Sequence, residues 1–268
     1  MLARHASVVL LCYVVLSAAS TRDVFAAPPP PNHADIAYGA HPHQRLDIYL
    51  PTSGKGPYPV LVWFGGLWKP AKHPVRLDYF PAKGVAVVAV QLRTMNDAVE
   101  DKVSEPISYV MGDADRADPK STDPVLQQST RVTCVAAYRC QPSIDPQRMQ
   151  EWVPGVKWGA PALGCSFEES LKRRDELLPI IRRWSPDALI HSGAAPIYFE
   201  NEWSLTKPDD ITQVNYDVHS PAWGLGFQKL AQQAGAVCYV KFPGRPTEGY
   251  ADIWDFVVKE LKANPTAK

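Results

Sequence analysis

Hydrophobic and polar positions fall into short blocks whose period changes along the chain. In residues 45–50, RLDIYL, Leu46, Ile48 and Leu50 alternate with Asp47 and Tyr49, the signature of a strand with one buried face. Together with the preceding DIAYG (35–39) and the turn at His41-Pro42-His43, this block predicts an antiparallel edge hairpin. Two later runs, PVLVWF (59–64) and GVAVVAV (84–90), are apolar without alternation and dense in β-branched side chains. That composition predicts central parallel strands covered on both faces. Further strands are expected at 131–138, 196–200 and 236–242. Helices are expected at 95–103, 167–184, 221–234 and 251–263. Strand followed by helix, repeated, predicts an α/β fold with a mainly parallel sheet flanked by helices. No repeat of fixed period is visible, and nothing marks a second domain.

The ends of the chain read differently. Residues 1–26 carry Arg4 and His5, then the apolar run 7–19, then Val24-Phe25-Ala26, which is the pattern of a cleaved export signal. The run is shorter than the roughly 20 apolar residues a membrane span requires. The expected organisation is therefore a signal peptide at 1–26, a Pro-rich leader at 27–34 and one domain at 35–268. The expected destination is secreted or periplasmic, with no membrane attachment after cleavage. Cys134, Cys140, Cys165 and Cys238 then enter an oxidising compartment, where three pairings are open, and buried thiols are the alternative to disulfides. Their spacing matches no zinc pattern.

Composition narrows the partners. The whole chain has 28 basic and 28 acidic residues, and cleavage after Ala26 leaves 26 and 27. A nucleic-acid partner, which selects a basic excess, is not expected. The 26 prolines, about twice the usual ~5%, point to short elements joined by stiff loops.

The succession LDIYLP, PVLVWFGGLW, VAVVAVQLR, SPDALIHSGAAPIYFE and VCYVKFPG resembles the secreted carboxylesterase and acetylxylan-esterase-like branch of the α/β-hydrolase superfamily, from about Tyr38 onward. The resemblance implies an ester or carbohydrate-ester substrate and no metal or organic cofactor. It also implies an oxyanion hole of backbone amides at Gly65, Gly66 and Leu67, where Phe64 replaces the histidine of the family's HGG turn. Glu200 and Glu202 stand in the loop of the triad acid. Past the last strand, where the family has its histidine, there is none; Arg245 stands where the base is expected, and guanidinium cannot accept a proton. His219, with Asp217 as its orienting partner, is the candidate displaced base, and a structural histidine is the alternative.

The nucleophile is missing from the pattern. No G-x-S-x-G occurs, and Ser166, the one serine with glycine two places before it, opens Ser166-Phe167-Glu168-Glu169, a capping box for the following helix. The 38 residues between Arg93 and Val132 hold Pro106, Pro119 and Pro124 and the polar run GDADRADPKSTDP, with no apolar stretch fit for a central strand. The elbow strand and its helix are thus expected to be absent, with the flanks joined around residues 112–117. Three readings follow: an active serine ester hydrolase, a non-catalytic pseudoenzyme binding through loops at Trp63, Trp68, Trp203 and Trp223, and an internally deleted product that folds poorly.

Overall fold

The computed structural model describes residues 28–64, 71–93, 117–157 and 163–263. The signal peptide, the oxyanion residues Gly65, Gly66 and Leu67, Trp68, the helix expected at 95–103 and most of the junction at 112–117 lie outside these residues. The hairpin forms as expected: β1 (His33–Ala37) pairs antiparallel with β2 (Arg45–Tyr49). Regular structure begins at His33, inside the stretch 27–34 that the sequence reading sets apart as a leader. Asn32 already belongs to the hairpin, its amide donating to Ile48 O at 2.9 Å and its Oδ1 accepting from Leu50 N at 2.7 Å.

β2 pairs antiparallel with β4 (Ala86–Gln91), which pairs in parallel with β3 (Val60–Phe64). The first sheet therefore runs β1-β2-β4-β3 and stops at β3. A second, parallel sheet runs β5-β6-β7, from Val135–Tyr138, Ile197–Glu200 and Cys238–Lys241. The expectation that β3 is covered on both faces is corrected here. Leu61 points into the core, but Val60 and Val62 are each 46% exposed, because no described element packs over that face of β3. β4, flanked on both edges, is buried along most of its length, as its composition predicts.

The second sheet is covered on both faces. Helices α1 (Pro146–Trp152), α2 (Phe167–Lys172), α3 (Arg174–Trp184), α4 (Pro186–Leu189) and α5 (Gln213–His219) precede α6 (Ala222–Ala234) and α7 (Ile253–Ala263). Strand alternation assigns the faces. Ile197, Phe199, Cys238 and Val240 pack with Phe227 and Ala231 of α6. Tyr198 faces the other way and joins Phe256 and Val257 of α7 together with Val87 and Ala89 of the first sheet, so one core spans both sheets. Gly224 lets α6 approach closely: a Cβ there would sit 3.1 Å from both Phe199 Cβ and Val240 Cγ1. Under α7, Tyr198, Tyr239, Tyr250 and Phe256 form an aromatic cluster with centroids 5.1–6.0 Å apart.

Two expectations change in detail. The single helix predicted over 167–184 is broken at Arg173, which ends α2 and begins α3 and bonds Glu169 at 2.8 Å and Glu176 at 2.9 Å across the break. Ser166 is the N-cap expected of it, its Oγ accepting from Glu169 N at 3.1 Å. α1 and α5 were not legible as helices. Each is only 7 residues long, too short to show a period, and each is started by a cap, Asp145 for α1 and Thr212 for α5.

Candidate functional site

In a parallel sheet the strand carboxyl ends and the loops that follow them form the natural ligand edge. Here that edge brings together Tyr138 and Arg139 after β5, Glu200 to Trp203 after β6, and Lys241 and Phe242 after β7. An open depression of about 410 Å³ is lined by Glu200, Asn201, Glu202, Lys241, Phe242 and Pro246. A crevice of about 10 Å³, the size of one water, shares Glu200, Asn201 and Lys241 with it and reaches Arg139 and Ser220.

Both oxygens of Glu200 have protein donors. Its Oε2 accepts from Ile253 N at 2.6 Å, closing the N-terminus of α7, and its Oε1 accepts from Lys241 Nζ at 3.2 Å. A carboxylate at a helix N-terminus is favoured by the unpaired amides and the helix dipole. Glu200 therefore fastens the start of α7 to β6, beside Asp252, whose Oδ1 accepts from Trp254 N and Asp255 N.

Glu202 is likewise engaged. Oε1 accepts from Arg139 Nη1 and Oε2 from Tyr138 Oη, both at 2.8 Å. Burial, then the bond to Glu202, pushes the Tyr138 phenol up to about 12, so it remains a donor at neutral pH. The Arg139 guanidinium lies 4.0 Å over the Trp203 ring, and Trp203 stacks against Tyr216 at 6.0 Å. Asn201 holds the loop, donating to His219 O at 2.6 Å and accepting from Trp203 N at 2.9 Å.

His219 joins this group, but as the last residue of α5 and not as an open loop residue. Its Nδ1 bonds Arg139 O at 3.1 Å, and its ring meets Trp203 edge-on at 6.3 Å. Asp217 does not orient it: that carboxylate takes Gln213 Nε2 at 2.7 Å, and its carbonyl takes Trp223 Nε1 at 2.8 Å. Burial holds His219 below the ordinary histidine value. The structure thus unites Glu202 and His219 through Arg139, and sets Glu200 and Asp217 to other tasks.

Arg245, where the base was expected, donates from Nη2 to Gln228 Oε1 at 2.7 Å and braces the turn after β7 against α6. Of the four named tryptophans, the three described are packed: Trp223 is fully buried, Trp63 lies 5.7 Å from Trp254, and Trp203 has Arg139 and Tyr216 against it. They are core and clamp residues, not a free aromatic platform. Cys134, Cys140, Cys165 and Cys238 are all unpaired in the structure; of the four only Cys238 is a buried residue. Among the described residues no three His, Cys, Asp or Glu side chains are grouped to hold a metal, and no helix is long and apolar enough to cross a membrane.

Arg139 is the residue sequence reasoning missed. Arg139 follows an apolar strand in the text AAYRC and looks like an ordinary strand-end cation; its φ of 49° and its four partners come only from the fold. Lys241, at the end of β7, was equally hidden, because its partner Glu200 is 41 residues away.

No family model matches the sequence, and no curated protein sequence matches it. Solved structures do match by shape. A truncated form of a carbohydrate esterase from gut microbiota superposes with TM-score 0.52 at 13% identity, over 85% of this chain and 95% of that one. An acetyl ester-xyloside bifunctional hydrolase from Caldicellulosiruptor lactoaceticus gives 0.51 at 16% identity over 83% and 88%. A bifunctional GH43-CE protein of Bacteroides eggerthii gives 0.53 at 17% identity, over 85% of this chain but 38% of that longer one. At these identities the likeness shows a shared fold: a mixed α/β architecture with parallel strands and flanking helices, common to these esterases.

Proposed function

We propose that the protein is an exported α/β-hydrolase-fold member of the carboxylic ester hydrolase lineage that binds a small ester or carbohydrate ester without hydrolysing it. The observation that carries this reading is the state of the acid positions: both oxygens of Glu200 and both of Glu202 are engaged by protein donors, and neither carboxylate contacts an imidazole. The chain also lacks a G-x-S-x-G serine, and in the resembled fold that serine stands on a strand in the middle of the sheet. Among the described residues the first sheet ends at β3 and β5 opens a separate sheet, an arrangement that supports loss of this strand. Without nucleophile and base, ester turnover falls to the small remnant that oxyanion binding supplies.

The depression supports binding. About 410 Å³ suits a small ligand, and its lining combines Phe242 and Pro246 with amide and ammonium groups that donate to ester and hydroxyl oxygens and carboxylates that accept from hydroxyl groups. The cysteines being unpaired, export places free thiols in an oxidising compartment, where the buried Cys238 is protected by its packing.

The test pairs two assays on the folded protein. Calorimetry with acetylated xylo-oligosaccharides is expected to show binding that Phe242→Ala weakens, and aryl acetate is expected to hydrolyse no faster than in buffer. Turnover that follows protein concentration and survives repurification overturns the reading. A second reading, an internally deleted product, is favoured by the half-exposed Val60 and Val62 on β3; it requires a melt without a cooperative transition.

A further inference from the structure

Arg139 closes β5 with φ 49°, a left-handed backbone that a residue with a side chain adopts only under constraint. Four contacts supply it. The Arg139 amide donates to Glu200 O at 3.0 Å, and its carbonyl accepts from His219 Nδ1 at 3.1 Å. Its guanidinium donates to Glu202 at 2.8 Å and covers Trp203 at 4.0 Å. The fifth group, Arg139 Nε, is buried without a hydrogen-bond partner.

A carbonyl can only accept, so Nδ1 of His219 carries the proton and Nε2 is left as the basic atom. Protonation of Nε2 places an imidazolium against the turn that holds the guanidinium. The new charge is repelled by the Arg139 guanidinium and attracted by Glu202, while Nδ1 keeps its bond to the Arg139 carbonyl, so the guanidinium side chain is the part able to move. The other charged groups of the rim are committed: Glu200 and Lys241 pair with each other at 3.2 Å, Tyr138 donates to Glu202, and Asp217 on the ring's own helix is held by Gln213.

We infer that His219 is a proton-operated latch: neutral, it holds the Arg139–Glu202–Trp203 clamp closed, and charged, it displaces the Arg139 guanidinium from Glu202 and Trp203. The step is one proton taken from solvent by Nε2, with no covalent bond made or broken. Burial shifts its operation to the acid side of the ordinary histidine value. The latch concerns conformation and stands whether or not the depression binds an ester.

The experiment is a titration of the purified protein from pH 8 to pH 4.5, following the His219 ring by NMR and Trp203 emission as the difference between wild type and Trp203→Phe. The ring and the emission are expected to change together, with one midpoint below about 6.5, and the emission change is expected to be lost in His219→Gln. Hydrogen exchange at the Arg139 amide, corrected for intrinsic pH dependence, is expected to quicken over the same range in the wild type only. An unchanged emission transition in His219→Gln, or a ring that titrates while emission and exchange stay flat, overturns the latch. Should His219→Gln fail to fold, the wild-type midpoints decide: coincidence supports the latch, and separation refutes it.

Discussion

Replacing Glu200 by alanine separates a structural carboxylate from a catalytic one. In the wild type this side chain is 17% exposed, accepts the Ile253 amide at the start of α7 at 2.6 Å and pairs with Lys241 at 3.2 Å. Loss of the charged acceptor at a helix start costs about 1–2 kcal/mol. The ion pair adds about 0.2–1 kcal/mol, because Lys241 is 28% exposed and keeps its bond to Ala251 O at 2.7 Å. The expected destabilisation is therefore about 1–3 kcal/mol, read as a lower urea midpoint at unchanged m-value. Glu200→Gln retains an oxygen for the Ile253 amide and is expected to lose about 1 kcal/mol. A Glu200→Ala change below about 0.5 kcal/mol, within the range of an ordinary surface substitution, would refute the capping role and return Glu200 to the candidate acids.

Three further outcomes follow from the same structure. Asp145, 8% exposed, caps α1 and receives Arg174 through two bonds of 2.7 and 2.6 Å; burial raises its pKa, but the guanidinium bonds prevail and the net shift is downward. This stability is present above the unfolded carboxylate value near 3.9 and is lost as pH falls through the depressed folded value, a slope that Arg174→Met reduces at a cost of about 1–3 kcal/mol in urea unfolding at pH 7. Thiol titration is expected to find Cys134, Cys140, Cys165 and Cys238 all reactive after denaturation; in the native state Cys134 and Cys238 lag, since burial pushes both thiols up to about 12. Gly224→Ala is expected to destabilise by about 1–3 kcal/mol despite alanine's better helix propensity, because its Cβ meets Phe199 and Val240 at 3.1 Å; equal or higher stability in a thermal melt would contradict that packing.

What the sequence disclosed was governed by local pattern. The apolar runs of β3 and β4, the alternation of β2 and the Ser166 capping box are written in consecutive residues, and each forms where expected. The exposure of β3 was not legible, because a run such as VLVWF reads alike whether or not a neighbour lies beyond it. The site was legible only as a set of residue types. Glu202 and His219 were named and both bond Arg139, yet that residue is set by a left-handed turn and by partners up to 80 residues away. Glu200 matched the acid position equally well, and only the arrival of α7 above it assigns that carboxylate to the Ile253 amide.

The central claim is an esterase fold with no working nucleophile, and the direct measurement is the intact mass of the folded protein after exposure to a fluorophosphonate, which modifies activated serines. The account predicts the unmodified mass after incubation sufficient to label a competent serine esterase completely. A single stoichiometric adduct, mapped to one serine and abolished by its replacement with alanine, would contradict it.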